Sequence, residues 1–289
     1  MTPLLTCVLR DGRVLAYALY GQPDGRPLYF FHGFPGSRLQ AAMLHERALA
    51  AGVCLVAADR PGFGASSPDP ARTILGWADD VVQLADHLGH ARFGVLGVSC
   101  GGPYALACAH RLPQRLDYVG LLAGIGPMDV PAIRAGQLPV LSGMFALARI
   151  HPLLIAPLLL LDRVMFRRNP ERAVRALAAM LTPPDQALLA ADPRLAAAFG
   201  ASLAEAYRQG IGGAMREAQL IGSARGFALE DIGLPVHVYQ SGIDRNVPPA
   251  MGRYMAERLP RATLAVYPDE GHLSIVVHRF GDCLRDFLD

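Results

Sequence analysis

Gly97-Val98-Ser99-Cys100-Gly101 lies between an apolar run at 93–96 and a helix-forming stretch at 102–111. A strand entering and a helix leaving such a turn bring their backbones nearly into contact. Only very small residues then fit two positions before and two positions after the serine. The strain holds the Ser99 hydroxyl out into a cleft. The N–H of Cys100 falls at the N-terminus of the following helix, ready to stabilise an oxyanion. The pentapeptide alone is common by chance, and its place between strand and helix gives it weight. Cys100 itself reads as a small packing residue turned into the helix, not as a second nucleophile.

Around this turn, strand and helix patterns alternate. Residues 5–9 and 14–20 flank Arg10-Asp11-Gly12-Arg13 and predict an opening hairpin. Strands follow at 28–31 and 53–58, separated by a helix at 39–51 that stops at Gly52. Apolar residues at helical spacing predict a helix over 73–88, with Gly89 as its stop. Strand 118–122 follows the helix after Ser99. Such alternation means a parallel sheet covered on both faces. The rhythm breaks near Gly126-Pro127-Met128. From there to Gly226 no β-rich run occurs, and helices are expected at 132–149, 171–181, 187–207 and 213–223. Alternation resumes with strand 236–240, helix 249–258, strand 263–267 and a closing helix at 273–288. The expected organisation is a core of 1–127 and 227–289 with a helical cap, 128–226, inserted.

The bulk composition fits this reading and excludes others. The chain of 289 residues is 52% hydrophobic and 18% charged, with a formal net charge of +2, and its 27 basic residues form no dense run. Neither a nucleic-acid surface nor an acidic partner is expected. Five cysteines (Cys7, Cys54, Cys100, Cys108, Cys283), odd in number and without C-x-x-C spacing, read as reduced thiols of a cytoplasmic protein, with no metal site. The N-terminus lacks a basic stretch followed by an apolar one, so no secretory leader is expected. The greasiest segment, 153–161, is broken by Pro157 and ends at Asp162, about half of the roughly 20 residues a membrane span needs. It reads as cap core or as a greasy roof over a substrate.

A serine nucleophile needs a base, and the base needs a partner that fixes its tautomer. Strand 236–240 runs into Ser241-Gly242-Ile243-Asp244, and strand 263–267 runs into Pro268-Asp269-Glu270-Gly271-His272. Asp244 and His272 therefore stand just beyond the carboxyl ends of strands, where open parallel sheets bind ligands. Asp129, just after strand 118–122, is a second candidate for the acid, though Asp244 is preferred.

The whole chain resembles the α/β-hydrolase superfamily with a helical cap. The resemblance rests on His32-Gly33-Phe34-Pro35-Gly36, Asp59-Arg60-Pro61-Gly62-Phe63-Gly64-Ala65-Ser66, the turn at Ser99, and the pair Asp244 and His272. It implies an α/β fold, a mostly parallel eight-stranded sheet with helices on both faces. It also implies the triad Ser99, Asp244 and His272, in the order serine, acid, histidine. The backbone N–H groups of Phe34 and Cys100 would form the oxyanion hole, His32 would support the oxyanion loop, and the block at 59–66 would be structural. Serine at position 99 argues against the haloalkane dehalogenases and epoxide hydrolases, which carry aspartate there.

The implied chemistry is acyl transfer through an acyl-enzyme, without cofactor, on a small, mostly apolar ester or related acyl compound. The expected partner is that small molecule, and the expected state a monomer or homodimer. Two other readings stay open on the same scaffold. One is an aminopeptidase resembling proline iminopeptidases, with Glu205, Glu217, Asp185 or Asp192 holding a substrate amine, or else a C–C bond hydrolase. The other is a ligand sensor with very slow turnover.

Overall fold

The computed structural model describes residues 3–289. Eight strands form one sheet: β1 Leu5–Val8, β2 Val14–Gly21, β3 Arg26–Phe31, β4 Val53–Ala58, β5 Phe93–Val98, β6 Leu116–Leu122, β7 Val236–Ser241 and β8 Ala262–Tyr267. Their order is β1-β2-β4-β3-β5-β6-β7-β8. β1 and β2 pair antiparallel, as does β2 with β4, and every other neighbouring pair is parallel. The fold is therefore that of an α/β-hydrolase, with a mostly parallel sheet.

Twelve α-helices are found among the described residues: α1 His45–Ala50, α2 Trp77–His87, α3 Gly102–Arg111, α4 Pro139–Ile150, α5 Ala156–Arg168, α6 Pro170–Ala178, α7 Pro183–Ala191, α8 Pro193–Ala206, α9 Gly212–Gly222, α10 Pro249–Arg258, α11 Ser274–His278 and α12 Phe280–Leu288. The central strands are buried on both faces, and their alternate residues divide between two cores. Tyr29, Phe31, Val56 and Val95 pack with α2 and α3, while Leu28, Phe30, Leu55 and Leu96 pack with α1, α11 and α12. A period of two thus sends each strand's side chains to opposite helix layers. Between β6 and β7 the described residues hold only helices and turns.

Several helices differ from the sequence expectation, each for a local reason. The stretch 39–51 is a 3-10 turn, Arg38–Leu44, followed by α1. Asp59 grips the Arg38 backbone N–H at 2.7 Å, and Gln40 Oε1 accepts the Gly33 N–H at 2.7 Å. The expected helix 187–207 is divided by Pro193 into α7 and α8, bent by 107°. Asp192 accepts the N–H groups of Arg194 and Leu195 and so starts α8 afresh. The closing helix breaks at Arg279 into α11 and α12. The run 153–161 leads into α5, with Pro157 in its first turn, where a missing N–H costs no helical hydrogen bond. No single helix among the described residues is long and apolar enough to cross a membrane.

Candidate active site

Four strands deliver the candidate residues to one edge of the sheet. Phe31 on β3 lies beside Gly97 on β5, so the chain after β3 runs past the turn at Ser99. Ser99 sits at φ 53°, in the left-handed region that a side chain seldom occupies. Its neighbours explain how that is held. A Cβ on Gly97 would lie 2.5 Å from the Gly101 carbonyl oxygen, and one on Gly101 would lie 2.1 Å from the Phe31 carbonyl oxygen. Glycine at both positions is a requirement of close backbone approach.

Beyond β8, His272 faces Ser99 with its Nε2 3.1 Å from the hydroxyl oxygen, and its Nδ1 lies 2.6 Å from Asp244 Oδ2. The carboxylate is fixed in turn. Asp244 Oδ1 accepts the backbone N–H groups of Asn246 and Val247 at 2.7 and 2.9 Å, and the residue is only 2% exposed. These contacts leave Nδ1–H as the donor to Asp244 and Nε2 free to accept from Ser99. Burial alone would push the imidazole's pKa down. The Asp244 carboxylate, by charge and hydrogen bond, and the more distant charge of Asp185 hold it above the usual histidine value. Asp129 lies elsewhere, in an exposed turn after β6.

Phe34 and Cys100 line the same cavity as Ser99 and His272. The Cys100 thiol is pushed up to about 12, chiefly by burial, and stays protonated at neutral pH. His32 is fully buried, with Nδ1 2.8 Å from the Gly33 carbonyl and Nε2 accepting the Arg60 N–H at 3.4 Å. Burial and the Arg60 charge hold its pKa well below the usual histidine value, so it is a neutral strut of this loop.

The cavity encloses about 630 Å³ and is lined mainly by apolar side chains of α4, α5 and α6, with Phe34 and Phe199. Asp162 is the one carboxylate in that lining among the described residues. Burial raises its pKa to about 6, against a hydrogen bond from Tyr207 at 3.4 Å.

A family model described as alpha/beta hydrolase fold matches residues 26–279, which take in β3 to β8. The chain belongs to the α/β-hydrolase fold family. The putative carbamate hydrolase RutD of Caulobacter sp. (strain K31) is 29% identical over 261 residues, 83% of this chain and 87% of the relative. The poly(3-hydroxyalkanoate) depolymerase of Ectopseudomonas oleovorans is 33% identical over 161 residues, 54% of each chain. This α/β-hydrolase thus matches about half the length of that depolymerase. A thermophilic esterase from Thermogutta terrifontis superposes with a TM-score of 0.71 at 22% identity, covering 99% of this chain and 98% of the other.

The acids singled out between β6 and β7 do not line the hydrolase's cavity. Three of them tie the helices to the loops around Ser99. Asp185 Oδ1 accepts the N–H groups of Leu273 and Ser274 at 2.9 and 2.8 Å, and Oδ2 accepts that of His272 at 3.1 Å. Glu205 pairs with Arg38 at 2.8 Å. Glu217, fully buried, accepts from Arg72 at 2.7 Å and from the Tyr104 hydroxyl at 2.8 Å. Its Oε1 lies 2.9 Å from Arg60 Nη2, an ion pair without an aligned hydrogen bond. Arg60 donates to the carbonyls of His32 and Gly33 at 2.6 and 3.2 Å, so α9 is coupled through it to the loop carrying Phe34. The fourth acid, Asp192, caps α8. The sequence reading missed the roles of Asp185 and Gln40; neither belongs to a recognisable string, and no signal in one sequence pairs Asp185 with residues nearly ninety positions further along the chain.

Proposed function

We propose that this α/β-hydrolase is a serine esterase, or hydrolase of a related acyl bond, acting through Ser99, His272 and Asp244. The observation that carries the reading is His272, held between Ser99 Oγ at 3.1 Å and Asp244 at 2.6 Å, at the wall of an apolar cavity. His272 takes the Ser99 proton as the hydroxyl oxygen attacks the substrate carbonyl, and Asp244 steadies the imidazolium. The N–H groups of Phe34 and Cys100 receive the oxyanion, a kind of contact whose loss typically costs about 10²–10³ in rate. The tetrahedral intermediate expels the leaving group, which His272 protonates. Water, deprotonated by His272, then cleaves the acyl-enzyme and returns Ser99. Residues 128–226 act as a cap over the cavity, and its volume suits a small or medium acyl compound.

The test is labelling by a fluorophosphonate together with hydrolysis of p-nitrophenyl esters of graded acyl length. Wild type labels on Ser99 and turns over, while Ser99→Ala and His272→Ala lose turnover. An unlabelled wild type would overturn the reading. The aminopeptidase alternative is disfavoured because Asp185, Asp192, Glu205 and Glu217 are engaged outside the cavity lining.

A further inference from the structure

Ten of the seventeen large hydrophobic side chains that stand exposed among the described residues fall between 140 and 180. A concentration of this kind marks a surface that meets an apolar partner. On α4, Leu147 and Ile150 are three residues apart, and on α5, Leu161 and Val164 repeat that spacing, so each pair shares one side of its helix. Leu153, 61% exposed, lies in the turn that joins them.

The same stretch is basic. Arg149, Arg167, Arg168, Arg172 and Arg175 are exposed, and none is in an ion pair among the described residues. Of its two acids, Asp162 lines the cavity, which leaves Glu171 as the acid on the outside. The cavity also reaches this face, because Val140, Met165 and Met180 both line it and stand exposed.

Exposed aliphatic side chains interspersed with unpaired guanidiniums match the boundary of a negatively charged bilayer, with acyl chains below and phosphates above. A second copy of the chain fits less well. A two-fold contact would set this face against itself and oppose two sets of unpaired arginines. We propose that the face formed by α4, α5 and α6 docks on an anionic lipid surface, from which apolar acyl substrate enters the cavity. The route of entry rests on the esterase reading; the docking does not.

The experiment is flotation of the full chain with vesicles of phosphatidylcholine alone and of phosphatidylcholine with phosphatidylserine, at low and high salt. Two double variants accompany it, Ile150→Asp with Leu153→Asp and Arg167→Glu with Arg168→Glu, each checked for folding by circular dichroism and melting temperature. Wild type floats with the serine-containing vesicles and is released by salt. The arginine variant partitions about tenfold or more weaker, as loss of two near-surface cations requires, and the aspartate variant fails on both vesicles. Absence of wild-type flotation, or flotation unchanged in both variants, would overturn the proposal. So would a solution dimer that the aspartate variant dissolves, since the face would then join copies of the chain. Flotation without any ester turnover would sink the esterase reading and leave the docking standing.

Discussion

Asp185 Oδ1 accepts the backbone N–H of Leu273 at 2.9 Å, joining α7 to the loop that carries His272. The same carboxylate takes the N–H groups of His272 and Ser274 and the Thr182 hydroxyl, and it is fully buried. Approach is so close that a Cβ on Gly271 would lie 2.4 Å from Asp185 Oδ2. One side chain therefore both positions the His272 loop and adds a negative charge near the imidazole.

Asp185→Asn should shift the acid limb of the pH–rate profile downward. The carboxylate helps to raise the His272 pKa, so neutralising it lowers that pKa and leaves His272 neutral, hence able to act as base, at lower pH. The amide also turns an N–H₂ toward donors it cannot satisfy, which costs about 1–3 kcal/mol of stability per orphaned group. Profiles of kcat/KM and melting temperatures measure both effects. A limb that stays in place while the protein melts earlier would leave Asp185 a purely structural role.

Glu217→Gln leaves Arg60 and Arg72 buried with a neutral partner, and breaking such a network typically costs about 3–5 kcal/mol. Burial pushes the Glu217 pKa up, but Arg60, Arg72 and the Tyr104 hydroxyl outweigh it and hold the carboxyl below the usual glutamate value. A lowered folded-state pKa contributes stability that is complete above the unfolded value and lost as pH falls through the folded one. The gap in melting temperature between wild type and variant should thus persist at neutral pH and close only in acid below the ordinary glutamate range. A gap that closes near neutrality would assign the stabilisation to another group.

The order of strands and helices, the strained serine and the acid and histidine loops were legible because each is a local pattern. Gly97 and Gly101 are demanded by backbone contact two residues either side of Ser99, and alternation of periods marks each element. The divided helices were less legible. Pro193, lacking an N–H, divides the helix at 187–207 and Asp192 starts α8 afresh, while Arg38–Leu44 is held by Asp59 and Gly33 from outside it. Asp185 and Glu217 read in the sequence as candidate ligands for a substrate amine, and only tertiary packing turns them onto the His272 loop and Arg60.

Asp244 and Asp129 give opposite outcomes in one experiment. Asp244 Oδ2 meets His272 Nδ1 at 2.6 Å, whereas Asp129 stands in an exposed turn. Asp244→Asn would stabilise the wrong imidazole tautomer and should slow ester turnover by about 10³–10⁴. Asp129→Asn should leave it unchanged. Steady-state rates on one ester decide the matter, and the reverse pattern would move the acid to the loop after β6.

Asp162 should make chain-length preference depend on pH. It is the one carboxylate in the cavity lining among the described residues, and burial raises its pKa to about 6. Below that value the neutral acid sits beside an acyl chain at little cost; above it, a long chain must share the cavity with a carboxylate that has lost water. The ratio of kcat/KM for a decanoyl ester to that for a butanoyl ester should therefore fall as pH rises through about 6. The ratio is the proper measure, because ionisation of His272 scales both substrates alike and cancels. Asp162→Leu removes the titrating group, so its ratio should stay high and flat across the same range. If wild type gives a flat ratio too, the acyl chain does not reach Asp162, and the long axis of the substrate runs along another wall of the cavity.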